Sequence, residues 1–212
     1  MALDLEKIKP YRSLKQVDPL LWQTLAGADP DRVALRSGAL RRGEGYSLEL
    51  LGQTFSVQPR ERTILGPDRR PATFQEGLVL LVYLTGDGPA GLAGERVPLR
   101  RLAGGDLFFT KEHVPSTDAL AQEIGLDVET FRNVGLDLGG RPTGQGQASW
   151  LVMALPQLPL EAIFFIGDEE FPPRISLLVD AAAGNYLDLG TLWGLINLLA
   201  RRIKEEAKAK AG

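Results

Sequence analysis

The stretch Leu160-Glu161-Ala162-Ile163-Phe164-Phe165-Ile166, then Gly167-Asp168-Glu169-Glu170-Phe171-Pro172-Pro173, then Arg174-Ile175-Ser176-Leu177-Leu178-Val179-Asp180 decides the fold. Its first third is dominantly apolar and suits a strand covered on both faces. Its last third alternates, with Ile175, Leu177 and Val179 on one side, as a half-buried strand does. The polar, proline-stiffened middle third joins the two as a hairpin. Upstream, Trp150–Leu155 is strand-like and stops at Pro156. Downstream, Leu192, Leu195, Ile196, Leu199 and Ile203 mark one stripe of an amphipathic helix, with Thr191 as its expected N-cap.

Towards the N-terminus, Asp18-Pro19 and Asp29-Pro30 each open a helix, because aspartate caps free N–H groups and proline at the first helical position loses no needed donor. Gly38 stops the second helix. The period then changes to two: Tyr46, Leu48 and Leu50, and after Gly52 Phe55 and Val57, predict a hairpin ending at Pro59. Residues 60–72 read as an Arg-rich loop with a turn at Gly66-Pro67-Asp68. Thr73-Phe74-Gln75-Glu76 has capping-box spacing and predicts a buried helix through Leu84. The following Gly86-Asp87-Gly88-Pro89-Ala90-Gly91 matches G-x-G-x-x-G. A dinucleotide fingerprint must leave a strand and open a helix; this one leaves a helix, so a plain glycine-rich loop is expected. Val97–Leu102 reads as a short edge strand, since Pro98 cannot donate to a neighbour. Ser116 or Thr117 caps a helix carrying Leu120 and Ile124, and Asp127 caps another with Phe131 and Val134 on one face.

Composition narrows the chemistry. The 212 residues contain no cysteine and one histidine, His113. Thiolate catalysis, Cys-ligated zinc and an iron–sulfur cluster held by this chain are therefore excluded, as is a multi-histidine metal site. The longest apolar run, Leu78–Leu84, falls far short of the roughly 20 residues that cross a bilayer. The beginning Met-Ala-Leu-Asp-Leu-Glu-Lys does not read as a signal peptide, so a cytoplasmic location is expected and no membrane partner. Charge is uneven: residues 114–200 carry net −8, residues 201–212 net +3. Eleven arginines lie between Arg32 and Arg101, but seven acids share that stretch and no interleaved aromatics accompany them. A mixed solvated surface is expected there, and no nucleic-acid partner.

Two loops remain as places for chemistry. Gly139–Gln147, with Arg141, has the backbone freedom to wrap an anion but lacks P-loop spacing. Asp168, Glu169 and Glu170 are the most concentrated charge in the chain. Kept extended, the segment places Asp168 and Glu170 on one face and Glu169 on the other. Three readings stay open. The acids are a tip solvated or paired with Arg141 or Arg174; they contact a ligand or partner; or Asp168 and Glu170 hold Mg²⁺ or divide acid and base roles. A catalytic residue is not identified.

Leu155-Pro156 and Pro159, Gly167-Asp168-Glu169-Glu170-Phe171-Pro172-Pro173, Asp180 and Tyr186-Leu187 resemble the prokaryotic family called domain of unknown function 3786. Leu51-Gly52 with Phe55 and Val57, Tyr83-Leu84 and Gly139-Gly140 are similar to it too, over roughly residues 15–200. The resemblance implies a setting in anaerobic bacteria and archaea, with no established activity. Some relatives carry a Cys-rich iron–sulfur segment that this chain lacks, so any cluster would belong to a partner protein. Relatives also place an acid immediately before the threonine at position 191, where this chain has Gly190.

These readings converge on an α+β fold: an N-terminal extension over 1–14, a single domain over 15–203, and a solvated helical tail over 204–212. A mostly antiparallel sheet carries flanking helices and a long C-terminal helix. The expected function is accessory binding of a small molecule or partner protein, an iron–sulfur protein among the candidates. The acidic hairpin loop 167–173 and the glycine-rich loop 139–147 form the expected recognition surface, with Asp168, Glu169, Glu170, Arg141 and Phe171 as the candidate residues, and no cofactor of the chain's own is expected. The alternatives are an enzyme built on Asp168 and Glu170, and a structural subunit docking through the Leu192–Ile203 stripe.

Overall fold

Helix starts follow the capping signatures. In a computed structural model that describes residues 13–88, 90–110, 113–115, 117–123, 125 and 127–211, α1 (Pro19–Gly27) opens on Asp18, whose carboxylate accepts from Leu20 N at 2.8 Å. In α2 (Pro30–Ser37), Asp29 does the same for Asp31 and Arg32, and Gly38 closes the helix at φ 70°. The expected N-terminal extension lies outside the described residues up to Arg12, as do Ser116 and Ile124.

The first sheet is a four-strand antiparallel meander: β1 (Leu40–Arg42), β2 (Gly45–Leu50), β3 (Gln53–Gln58) and β4 (Thr63–Leu65). The reading of 60–72 as pure loop is corrected by β4. Thr63, Ile64 and Leu65 pair with Gln58, Val57 and Ser56, and burying Ile64 beside Val57 and Phe55 outweighs the turn-prone flanks. β4 leads to α3 (Phe74–Thr85), where the capping box forms: Thr73 Oγ1 accepts from Glu76 N, and Glu76 Oε2 accepts from Thr73 N at 2.8 Å. Burial pushes the Glu76 carboxyl up, but the two-pronged hydrogen bond from Arg70 and those from Thr73 outweigh it and hold it below the usual range.

The G-x-G-x-x-G segment leaves α3 and opens no helix, as expected; Pro89 within it lies outside the described residues. N–H groups at its end and just beyond it serve the protein itself. Gly91 N donates to the Tyr186 hydroxyl, and Ala93 N and Gly94 N donate to Asp180. The following strand, β5, is confined to Arg96–Pro98, since Leu99–Arg101 turn into a helical curl. Short α4 (Gly105–Phe108), α5 (Thr117–Glu123) and α6 (Val128–Asp137) come next.

The second sheet completes the architecture with β6 (Arg141–Pro142), β7 (Ala148–Leu155), β8 (Leu158–Phe165) and β9 (Arg174–Asp180), in the antiparallel order β5-β9-β8-β7-β6. Pro98 does sit on an edge strand. Leu51 N donates to Ala154 O at 3.0 Å and stitches the first sheet to β7. On the helix side, Trp150, Ala162 and Leu177 form one cross-strand row. The Trp150 indole stacks on Phe131, donates to its carbonyl at 3.1 Å, and lies so close to Gly135 that no side chain fits there.

α7 (Leu189–Ala211) is the long C-terminal helix. Its cap is corrected from Thr191 to Asp188, which accepts from Thr191 N at 2.9 Å and from Thr191 Oγ1 at 2.7 Å. The stripe Leu192, Leu195, Ile196, Leu199 and Ile203 is fully buried against the chain's own core, α3, α5 and α6 included. Docking a neighbour through it is thereby corrected: a stripe already removed from water has no area left to offer. The helix runs on through the tail, where Ala207 still touches the core and Arg202 pairs with Glu206 at 3.1 Å.

Candidate functional site

The connection from β8 to β9 is a locked loop. Asp168 N donates to Phe171 O at 2.8 Å, and Asp168 Oδ1 accepts from Glu170 N at 2.9 Å and Phe171 N at 2.8 Å. Those two N–H groups hold the Asp168 carboxyl below the usual carboxylate range. The expected extended run, with Asp168 and Glu170 sharing a face, is corrected. An aspartate at the head of a turn gains two backbone donors that an extended strand would leave to water. A β-carbon on Gly167 would stand 2.6 Å from both Phe171 O and Pro173 N, so only glycine closes the loop. Among the described residues, Asp168, Glu169 and Glu170 make no ion pair. Arg174 instead lies over the Phe165 ring, 5.1 Å from its centre.

The lock presents apolar side chains to solvent. Ile166 is 55% exposed and Phe171 64%. With Val128, Phe164, Pro172 and Pro173 they surround a hollow of about 730 Å³, which Asp127, Glu129 and Asp168 also line. Asp127 caps α6, accepting from Thr130 N and from Thr130 Oγ1, both at 2.8 Å, and these bonds pull its carboxyl down as well.

The glycine-rich loop adjoins this hollow and is fastened from beneath. Ser149 Oγ accepts from Gln145 N at 2.7 Å and from Thr143 Oγ1 at 2.8 Å. Gln145 Nε2 donates to Oε1 of the wholly buried Glu161 at 2.9 Å. Glu161 Oε2 lies 3.1 Å from Arg96 Nε without hydrogen-bond alignment. The expectation that the Leu160–Ile166 strand has two apolar faces is thus corrected at Glu161, whose burial is made tolerable by those two partners. Gln147 joins the loops and α6: its amide N donates to Phe164 O at 3.1 Å, its side-chain oxygen accepts from Ile166 N at 3.2 Å, and its carbonyl accepts from Arg132 Nη2 at 3.0 Å. A second hollow of about 390 Å³ lies there, between Arg132 and Leu136 of α6, Trp150 and the loop.

The two hollows share no lining residue; Gln147, bonded to Ile166 on one side and Arg132 on the other, stands between them, and together they make up a crease along α6. Val128 and Glu129 stand at its larger end, Arg132 at its middle and Leu136, 59% exposed, at its smaller end. Of the residues singled out from sequence, Asp168 and Phe171 line it, and Glu169 and Glu170 are exposed beside them on the same loop. Arg141 does not join them. It pairs with Leu151, which alternates with the α6-facing Trp150, and so belongs to the opposite face of the sheet. His113 is elsewhere too, stacked on Phe108 at 4.4 Å and set at 79° to the Trp193 ring. Asp127, Glu129, Arg132, Leu136 and Ile166 are crease residues that sequence reasoning missed, whereas Gln147 closes the glycine-rich loop that it singled out. The signal for two of them was present: if Phe131 and Val134 face inward, Arg132 and Leu136, four residues apart, lie on the other side of the helix.

Among the described residues, no three His, Cys, Asp or Glu side chains are disposed to hold a metal, and no helix is long and apolar enough to cross a membrane. The model of a family described as a domain of unknown function (DUF3786) matches residues 29–202. No curated protein and no solved structure matches the chain.

Proposed function

We propose that this chain, which belongs to the DUF3786 family, is a binding module whose recognition surface is the crease along α6. The observation that carries this reading is the pair Ile166 and Phe171, more than half exposed over a hollow on a loop whose turn is fastened by three hydrogen bonds of Asp168. Large apolar side chains gathered at one concave place, fixed and rimmed by polar groups, are the usual mark of an interaction site. Enzymatic use of Asp168 with Glu170 is less well supported. One oxygen of Asp168 already holds its own loop, and neither Arg141 nor His113 reaches it.

A photoreactive phenylalanine analogue at position 171 tests the reading. In lysate of the native host it is expected to give a discrete adduct, abolished by Ile166→Asp, that the same analogue at exposed Leu35 does not give. Indistinguishable adduct patterns from positions 171 and 35 would remove the case for the crease.

A further inference from the structure

Resting on that binding reading, we infer that the occupant of the crease is a segment of a partner protein that is extended and sets a lysine or arginine beside a bulky apolar side chain. The larger hollow states both requirements. Val128, Phe164, Ile166, Phe171 and Pro172 ask for an apolar group, while Asp127, Glu129 and Asp168 stand around the same space. Among the described residues none of these three carboxylates is ion-paired within the chain. Asp127 and Asp168 are held ionised by backbone and hydroxyl donors that satisfy part of each carboxylate without cancelling its charge. Glu169 and Glu170 extend the negative field past the rim. A cation entering here finds opposite charge, and its methylene stem finds apolar wall, as suits a lysine or arginine side chain.

The length of the crease argues for a polypeptide. From Val128 to Leu136 is eight helical steps, about 12 Å, with apolar side chains at both ends and Arg132 between them. Roughly four residues of extended chain cover that distance. The basic residue of the segment lies at the Asp127–Asp168 end, and its next apolar residue reaches toward Leu136. Arg132, which gives one N–H to Gln147, has further donors in its fork for a carbonyl of the segment. Phosphate-bearing partners, nucleic acid and anionic lipid alike, are repelled by the same rim.

A phage-displayed library of random octapeptides, panned on the full chain and counter-selected on Phe171→Ser, tests this. Because Phe171 is exposed, that variant is expected to keep the wild-type circular dichroism and melting temperature. Clones that need Phe171 are expected to be enriched in lysine or arginine next to a bulky apolar residue and depleted in acids. As a synthetic peptide, the best clone should lose about tenfold in affinity on the double variant Glu129→Gln, Asp168→Asn, and several-fold as salt rises, since exposed charge pairs are screened. Clones that need Phe171 but show no basic preference would overturn the charge assignment and leave the binding reading standing. A library without Phe171-dependent clones would overturn the peptide occupant, and the photo-adduct at position 171 then decides separately whether the crease binds anything.

Discussion

The inner stripe of α7 and the tip between β8 and β9 are built from the same kind of residue and treat it in opposite ways. Leu192, Leu195, Ile196, Leu199 and Ile203 are withdrawn from water completely; Ile166 and Phe171 remain mostly in it. Burying a large apolar side chain contributes roughly 1.5–3 kcal/mol, so the helix contributes heavily to stability and the tip leaves that contribution unclaimed. The restraint on the backbone makes the difference informative. A floppy tip could fold Phe171 down onto Ile166 and hide both. Asp168, two prolines and the Gln147 bridge hold this one open. Apolar area held rigidly in solvent is free energy available to whatever covers it.

The comparison breaks most visibly at the helix. Leu195→Ala is expected to cost about 2–5 kcal/mol, because a fully enclosed leucine leaves a cavity as well as losing its own transfer energy. Urea denaturation followed by circular dichroism measures it. A loss below about 1 kcal/mol would mean that the stripe is not part of the core. Phe171→Ser, by contrast, should leave the same curve within about 0.5 kcal/mol of wild type, as exposed substitutions generally do.

A middle-sized effect belongs to the frame of the tip. Gly167→Ala pushes a methyl group against Phe171 O and Pro173 N, both backbone atoms that cannot swing aside. The expected cost is about 1 kcal/mol, read as a fall of roughly 2–4 °C in melting temperature for a chain of this size. The photo-adduct at position 171 should weaken with it. Unchanged melting and unchanged adduct formation would show that the turn held by Asp168 is not what poises Phe171.

Some of this was legible before any coordinates. The two Asp-Pro helix starts, the Thr73–Glu76 box and the hairpin around Gly167–Pro173 are local: each is a side chain meeting backbone within three residues, and sequence spacing records such pairs directly. What escaped depends on distant neighbours. Thr63–Leu65 becomes strand only because Val57 offers a partner and a shared core. Glu161 is tolerated inside β8 only because Gln145 and Arg96, one loop and one edge strand away, meet its carboxylate. The candidate site divides the same way. Asp168 and Phe171 came from the loop's own composition. Arg141, expected beside those two, lies on the opposite face, because β6 is two residues long and its register with Leu151 is a tertiary fact. Arg132 and Leu136 were recoverable as the outward complement of Phe131 and Val134, but nothing in the sequence says that the outward face of α6 lies beside the acidic tip.

The smallest expected effect is one of pH, and it separates the two regions cleanly. The α7 stripe carries no titrating group, whereas both caps at the crease mouth are aspartates whose native values lie below the ordinary range. A carboxyl depressed in the folded state lends stability above its unfolded value, near 4, and loses it as pH falls through the lower native one. Acidification from 7 to about 5 should therefore change neither cap. Below about 4 the amide signals of Glu170, Phe171 and Thr130, which report the three bonded N–H groups, should shift together in two-dimensional NMR while those of Leu195 and Leu199 hold. Midpoints at or above the ordinary aspartate value would mean that neither carboxylate is held by its backbone donors. The tip would then be free to close over Phe171, and the contrast with the helix would lose its cause.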